Sequence, residues 1–320
     1  MFPKFVFRPL VAVAAFIMLA ATAAADTFGT GGNLFTLDFV PIGDAGNTAD
    51  TTGAPNPCGK VDYAYRIGTY EVTIDQFTKA YNADSGIGDG DEDYWNDGGG
   101  SYGTGAPATY VSWHEAAKFC NWLTTGDADL GYYSTGGSYD DTPAHGLSHK
   151  EYADVNGLTY FIPTEDEWYK AAYYKGGGTD AGYWDYPTQH DTTSSPPIDG
   201  IDSSDDTNPG DFDAVFIDGY NQGHPNDVSN SGVGSAYGTY GQGGNVWEWN
   251  EAEIGSSRGL RGGVWGGNSS ILRASDRFNY SPAAEDFSIG FRVASVPEPG
   301  SITLLVCGLL GVLLWWRRRK

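Results

Sequence analysis

Residues 243–265 read GGNVWEWNEAEIGSSRGLRGGVW, and this stretch sets the architecture. Alternation over 246–249 predicts a strand, and 260–265 predicts a second. Successive side chains on a strand point to opposite faces, so Trp247 and Trp249 share one side and Glu248 takes the other. Further out, IGFRV at 289–293 predicts another strand, with Phe291 and Val293 facing one way and Arg292 the other. Strands are also expected near 65–70 and 159–162. The chain carries 46 glycines, 21 tyrosines and 10 tryptophans. Glycine-rich loops packed by large aromatics can build a core without long helices.

Three helix starts are written into the sequence. Thr73-Ile74-Asp75-Gln76, Ser112-Trp113-His114-Glu115 and Thr164-Glu165-Asp166-Glu167 each place a hydroxyl residue three positions before Gln or Glu. In such a capping box the hydroxyl and the longer side chain each satisfy an orphan backbone amide. Long acidic loops are expected at 84–105 and 176–234, and loops of that length are commonly functional or held by ions. Asp89 to Asp93 begins like an EF-hand loop, but Tyr94 and Gly100 stand where glycine and glutamate are required. No repeat of solenoid period is present.

The two ends point to export. Residues 1–25 carry Lys4 and Arg8, an apolar run over 11–19 and Ala23-Ala24-Ala25, which together predict a cleaved secretory leader. At the other end Pro297-Glu298-Pro299 precedes an apolar run over 301–316 and then Arg317-Arg318-Arg319-Lys320. Spanning a bilayer takes roughly 20 helical residues, and a basic cluster at its end favours retention in the membrane. This order resembles the PEP-CTERM sorting signal. The resemblance implies transient inner-membrane anchoring and removal of the tail by an exosortase-type peptidase. An ordinary membrane anchor is the alternative. The expected division is 1–25 leader, 26–295 domain and 296–320 sorting signal.

The formal net charge is −23, and six of the 18 basic residues lie in the two ends. A chain this acidic excludes nucleic acid as a partner held through its phosphates, whereas its carboxylates offer oxygen ligands to calcium. Cys58 and Cys120 are the cysteines outside the tail, so one disulfide remains open and no zinc spacing exists. The histidines do not cluster, and His145 and His149 are expected in solvated loops.

Six blocks in one order carry a wider resemblance: IGTYEVTIDQF (67–77), PATYVSWHEAAKFCNWL (107–123), IPTEDEWYKAA (162–172), GGNVWEW (243–249), RGLRGGVW (258–265) and IGFRVAS (289–295). Together they resemble the formylglycine-generating enzyme, or sulfatase-modifying factor, family. The resemblance implies an α+β domain of the C-type-lectin-like class with little regular secondary structure. It also implies a copper ion on two cysteines, which oxidises a sulfatase cysteine with molecular oxygen. Here residues 262–277 contain no cysteine, the first thiol position falls near Gly267, and a serine of the motif is Val264. Copper and its oxidase chemistry are therefore not expected, since thiolates are what select Cu(I). Cys120 matches a structural cysteine whose partner position is Val293.

The resemblance also implies candidate binding residues. Trp265, Asn268, Arg273 and Arg277 stand in the active-site segment. The two arginines either receive a carboxylate or sulfate or form structural ion pairs. A calcium site carries over to Gly241, Gly244, Val246 and Glu248, with Gly241 replacing a side-chain ligand. The alternative for Glu248 is pairing with an arginine. A second calcium position falls on Val215, with Asp218 or Asp227 as substitutes. The expected function is an exported ligand- or partner-binding module, with an exopolysaccharide or an envelope protein as candidate partner. The alternatives are a formylglycine-generating oxidoreductase with a divergent site and a purely structural envelope protein.

Overall fold

The computed structural model describes residues 24–88, 103–134, 146–191, 214–216 and 224–297. Residues 1–23 of the expected leader, residues 89–102 of the expected acidic loop and the apolar run 301–316 lie outside them. Among the described residues no helix is long and apolar enough to cross a membrane.

Among the described residues, two sheets and four helices make up the fold, in line with the α+β expectation. One sheet has the strand order β1-β2-β3-β9-β4. Its strands are β1 (Ala24–Phe28), β2 (Phe35–Ile42), β3 (Tyr65–Gly68), β9 (Ala294–Val296) and β4 (Thr159–Phe161). The second has the order β7-β6-β5-β8, from β5 (Trp247–Ile254), β6 (Ser257–Arg261), β7 (Phe278–Tyr280) and β8 (Ile289–Gly290). β6 stops at Arg261 rather than running on to Trp265. Gly262 and Gly263 take φ of 99° and 83°, a left-handed turn that side-chain-bearing residues resist. β1 and β2 were not foreseen. β1 contains Ala24 and Ala25, paired with Phe39 and Asp38, just ahead of the expected cleavage point.

α1 (Ile74–Ala83), α2 (Trp113–Thr125) and α4 (Glu165–Tyr173) start at the three capping boxes, with both reciprocal bonds formed in each. α3 (His149–Asn156) has a fourth box, from Ser148 to Glu151. It corrects the loop expectation for His149, which is buried.

The main core lies between the first sheet and α1 and α2. Phe77 of α1 and Phe119 of α2 stack with centroids 5.6 Å apart, and Phe291 meets both edge-on. Phe291 and Val293 are buried as the alternation requires, but Arg292 is buried too, on the side that leads to Glu248.

Candidate functional site

Gly262 and Gly263 turn the chain out of β6 into the segment 264–277. The backbone amide of Trp265 donates to the Asn245 carbonyl at 2.9 Å. Its ring is half-buried beside Val215, and its Nε1 is enclosed without a partner. Asn268 plays a structural part, since its Oδ1 accepts from the Ser270 amide and hydroxyl and caps the turn Ser269–Leu272. Arg277 grips Glu165, with Nε 2.7 Å from Oε1 and Nη2 2.6 Å from Oε2. Arg261 holds the same carboxylate from the other side at 2.9 and 2.8 Å. Arg277 therefore takes the ion-pair role. Arg273 remains exposed, with Nε donating to the Tyr186 hydroxyl at 2.6 Å. Of the four residues expected here, Asn268 and Arg273 are exposed, Trp265 is half-buried and Arg277 is committed to Glu165.

The thiol position carries no sulfur. A Cβ on Gly267 would overlap the Ile271 side chain, so aliphatic carbon occupies that place. Cys58 and Cys120 are free, buried, and in separate packing clusters. Folding does bring Cys58 against Ala274 of this segment, together with Trp168 and Tyr169. Burial pushes the Cys58 thiol up to about 11 and the Cys120 thiol well above its ordinary value. A protonated thiol neither ligates nor attacks. The donor set does not fit copper.

Beneath the segment lies a buried charged centre. Both oxygens of Glu248 are taken by Arg292, Nε to Oε2 at 2.5 Å and Nη2 to Oε1 at 2.6 Å, and Trp168 Nε1 adds a bond at 2.7 Å. Arg292 also donates to the carbonyls of Gly68 and Tyr240. Burial works against its charge, but Glu248 and Glu71 outweigh that and hold its pKa above the ordinary arginine value. The alternative reading of Glu248 is thus the observed one. Gly241 has no room for a ligand: a Cβ there would overlap the Glu71 carboxylate. The set Gly241, Gly244, Val246 and Glu248 does not fit calcium, because a guanidinium already saturates its carboxylate. Gly244 and Val246 are buried backbone beside it, and Gly244 donates its amide to the Gly262 carbonyl. At the second calcium position, the Val215 carbonyl accepts from the Asn245 amide. Asp218 lies outside the described residues, and Asp227 accepts from Ser229.

Glu71 completes this centre. Asn245, at φ 61°, donates its side-chain amide to Glu71 Oε1 at 2.9 Å, while Oε2 has no hydrogen-bond partner. Burial pushes the carboxyl up to about 7 against the pull of Arg292. The folded state therefore holds this proton more tightly than the unfolded chain, whose value is near 4.5. Its contribution to stability is fully present below about 4.5 and lost as pH rises to about 7. Glu71→Gln, neutral at every pH, is expected to flatten that part of the stability profile. Urea midpoints at pH 5 and 8 check this. A wild-type-like slope in the variant would assign the slope to another group.

A second buried ionic cluster escaped the sequence reading. His149 Nδ1 lies 2.9 Å from Glu167 Oε2, and its Nε2 lies 3.0 Å from Glu251 Oε1. Tyr63 donates to Glu167 at 2.8 Å, Tyr133 donates to Glu251, and Phe161 stacks on the imidazole at 3.9 Å. Burial disfavours the imidazolium, but Glu167 and Glu251 outweigh it and raise its pKa to about 10. The available signal was the serine three residues before Glu151, which marks a helix rather than a loop.

Comparison with known proteins agrees with this geometry. Residues 35–296 match the family described as Sulfatase-modifying factor enzyme 1-like domain. No curated protein matches the chain. Among solved structures, Treponema denticola variable protein 1 superposes with a TM-score of 0.56 at 22% identity, covering 86% of this chain and 100% of that one. CarF superposes with a TM-score of 0.50 at 20% identity, covering 81% and 97%. At these identities the likeness speaks for the fold alone. The matched span takes in both sheets from β2 onward and all four helices, and on that ground the chain belongs to the sulfatase-modifying factor family.

Proposed function

We propose that this protein is an exported binding domain built on the sulfatase-modifying factor fold, without copper-dependent cysteine oxidation. One observation carries the reading: Ile271 fills the place where the first thiol would stand, and Cys58 and Cys120 are buried with their thiol pKa values pushed up. A fold can persist while its chemistry is lost, so function follows the site. What the segment keeps is a partly open surface with Trp265 and Arg273, suited to contact rather than electron transfer. Lys4, Arg8 and Ala23 to Ala25 support export. Pro297 to Pro299 with Arg317 to Lys320 support sorting by an exosortase-type peptidase.

The test is direct. Purified protein given Cu(I), oxygen and a cysteine-containing sulfatase peptide is expected to yield no formylglycine by mass spectrometry. Formylglycine that disappears in Cys58→Ser would instead establish the oxidoreductase reading. Fractionation with a tag inserted before Val296 is expected to place the protein in the envelope or medium; a full-length cytoplasmic product would overturn export.

A further inference from the structure

The second sheet carries an aromatic face that its buried ionic centre does not use. β7 is an edge strand, and Phe278 and Tyr280, two residues apart, point to the same side. Leu260 pairs with both Phe278 and Trp249, which puts Phe278 on the side of Trp249 and Trp247. The Trp247 and Phe278 rings lie 5.6 Å apart with planes inclined by 30°. Phe278 and Tyr280 lie 6.5 Å apart at 24°. Phe278 and Tyr280 are 47% and 41% exposed, and Phe287 is 50% exposed. The Trp247 amide donates to the Ser288 carbonyl, which sets Phe287 beside this row. Phe287 in turn meets Tyr110 and Trp265 at 6.4 and 6.0 Å. Phe287, Tyr110 and Trp265 thus form a second aromatic group beside the row Trp247, Phe278 and Tyr280.

Two observations say what such a face takes. Among the described residues, the exposed large aliphatics are Leu34, Leu130, Val155, Leu158 and Val233, all outside this sheet. The patch is therefore aromatic without the aliphatic side chains that would interdigitate with an apolar protein surface. Phe278 and Tyr280 leave a large part of their rings open to solvent. A ring face is the negative pole of the quadrupole, and the C–H bonds along one side of a sugar ring present the complementary positive edge. Charge narrows the class further. A net charge of −23 repels polyanions. Locally, Arg258 beside Tyr280 is paired with Glu253, and Arg277 before Phe278 with Glu165, so neither offers an open positive charge to an anionic chain.

We infer that the row Trp247, Phe278 and Tyr280 binds a neutral polysaccharide chain by stacking. This rests on the proposed reading of the protein as a binding domain and names its ligand class.

The experiment is affinity electrophoresis of the full chain in detergent. The gels contain hydroxyethylcellulose, dextran or galactomannan, with polygalacturonate as the charged control. Retardation is expected in at least one neutral polymer, unchanged by added salt, because stacking is not screened as ion pairs are. Phe278→Ala with Tyr280→Ala is expected to weaken binding about thirtyfold, at roughly 1 kcal/mol per ring. Phe278→Tyr with Tyr280→Phe should keep it. Melting curves on each variant confirm folding. No retardation in any of the three neutral polymers would overturn the inference. So would retardation in polygalacturonate alone, or binding that survives the alanine pair. Capture of a protein partner through these rings, without retardation, would do the same. Formylglycine formation would defeat the proposed function while leaving this face untouched, so the two failures are separable.

Discussion

Replacing His149 by glutamine is expected to lower folding stability by about 3–5 kcal/mol, the cost of stripping one partner from a buried ion pair. His149 and Glu167 are fully buried, and Glu251 closes the other side of the ring. Without the imidazolium, two carboxylates face each other, supported by the Tyr63 and Tyr133 hydroxyls and the Thr164 amide. Glu167 also closes the capping box of α4, where its Oε2 accepts the Thr164 amide at 2.8 Å, so the strain reaches the helix start. The pH dependence has a definite sign. The folded value of His149 is raised to about 10 from an ordinary 6.5. Its stabilisation is therefore full below about 6.5 and lost as pH climbs through about 10. Urea midpoints of wild type and variant should converge across that range. Adding Glu251→Gln to the variant should recover part of the loss. A deficit below about 1 kcal/mol, constant with pH, would remove the charged histidine from the account.

The second large effect is expected at Arg292. Arg292→Met should cost a similar amount, about 3–5 kcal/mol, because Glu248 then loses its bidentate partner and Glu71 its nearest cation, 3.9 Å away. The carbonyls of Gly68 and Tyr240 lose donors as well. Arg292→Lys should recover only a fraction, since an ammonium cannot reproduce the planar fork. The same centre decides the calcium question. Glu248→Gln is expected to change the melting temperature by the same amount in calcium and in chelator. A penalty seen only in calcium would show that the ion, and not Arg292, is the partner of Glu248.

What sequence determined by itself was local or periodic. The helix starts at Thr73, Ser112 and Thr164 were legible because a capping box joins residues three apart, and chain spacing alone brings them together. Strand alternation likewise separated Trp247 and Trp249 from Glu248 without knowledge of neighbours. The ordered blocks gave the family, and the missing cysteines between Trp265 and Arg277 removed the copper donors. Tertiary structure decided the partners. Arg292 and Glu248 are 44 residues apart, and Arg277 and Glu165 are 112 apart. Nothing in either neighbourhood shows that arginine would fill the cation's place, or that Arg277 would be occupied. His149 looked like a loop residue until α3, α4 and β5 closed around it. The Phe278–Tyr280 strand was missed for the same reason: three residues carry too short a pattern, and only pairing with β6 makes them a strand. A long-range contact depends on the path of all the chain between its ends, and that path is set by the packed core rather than by either residue.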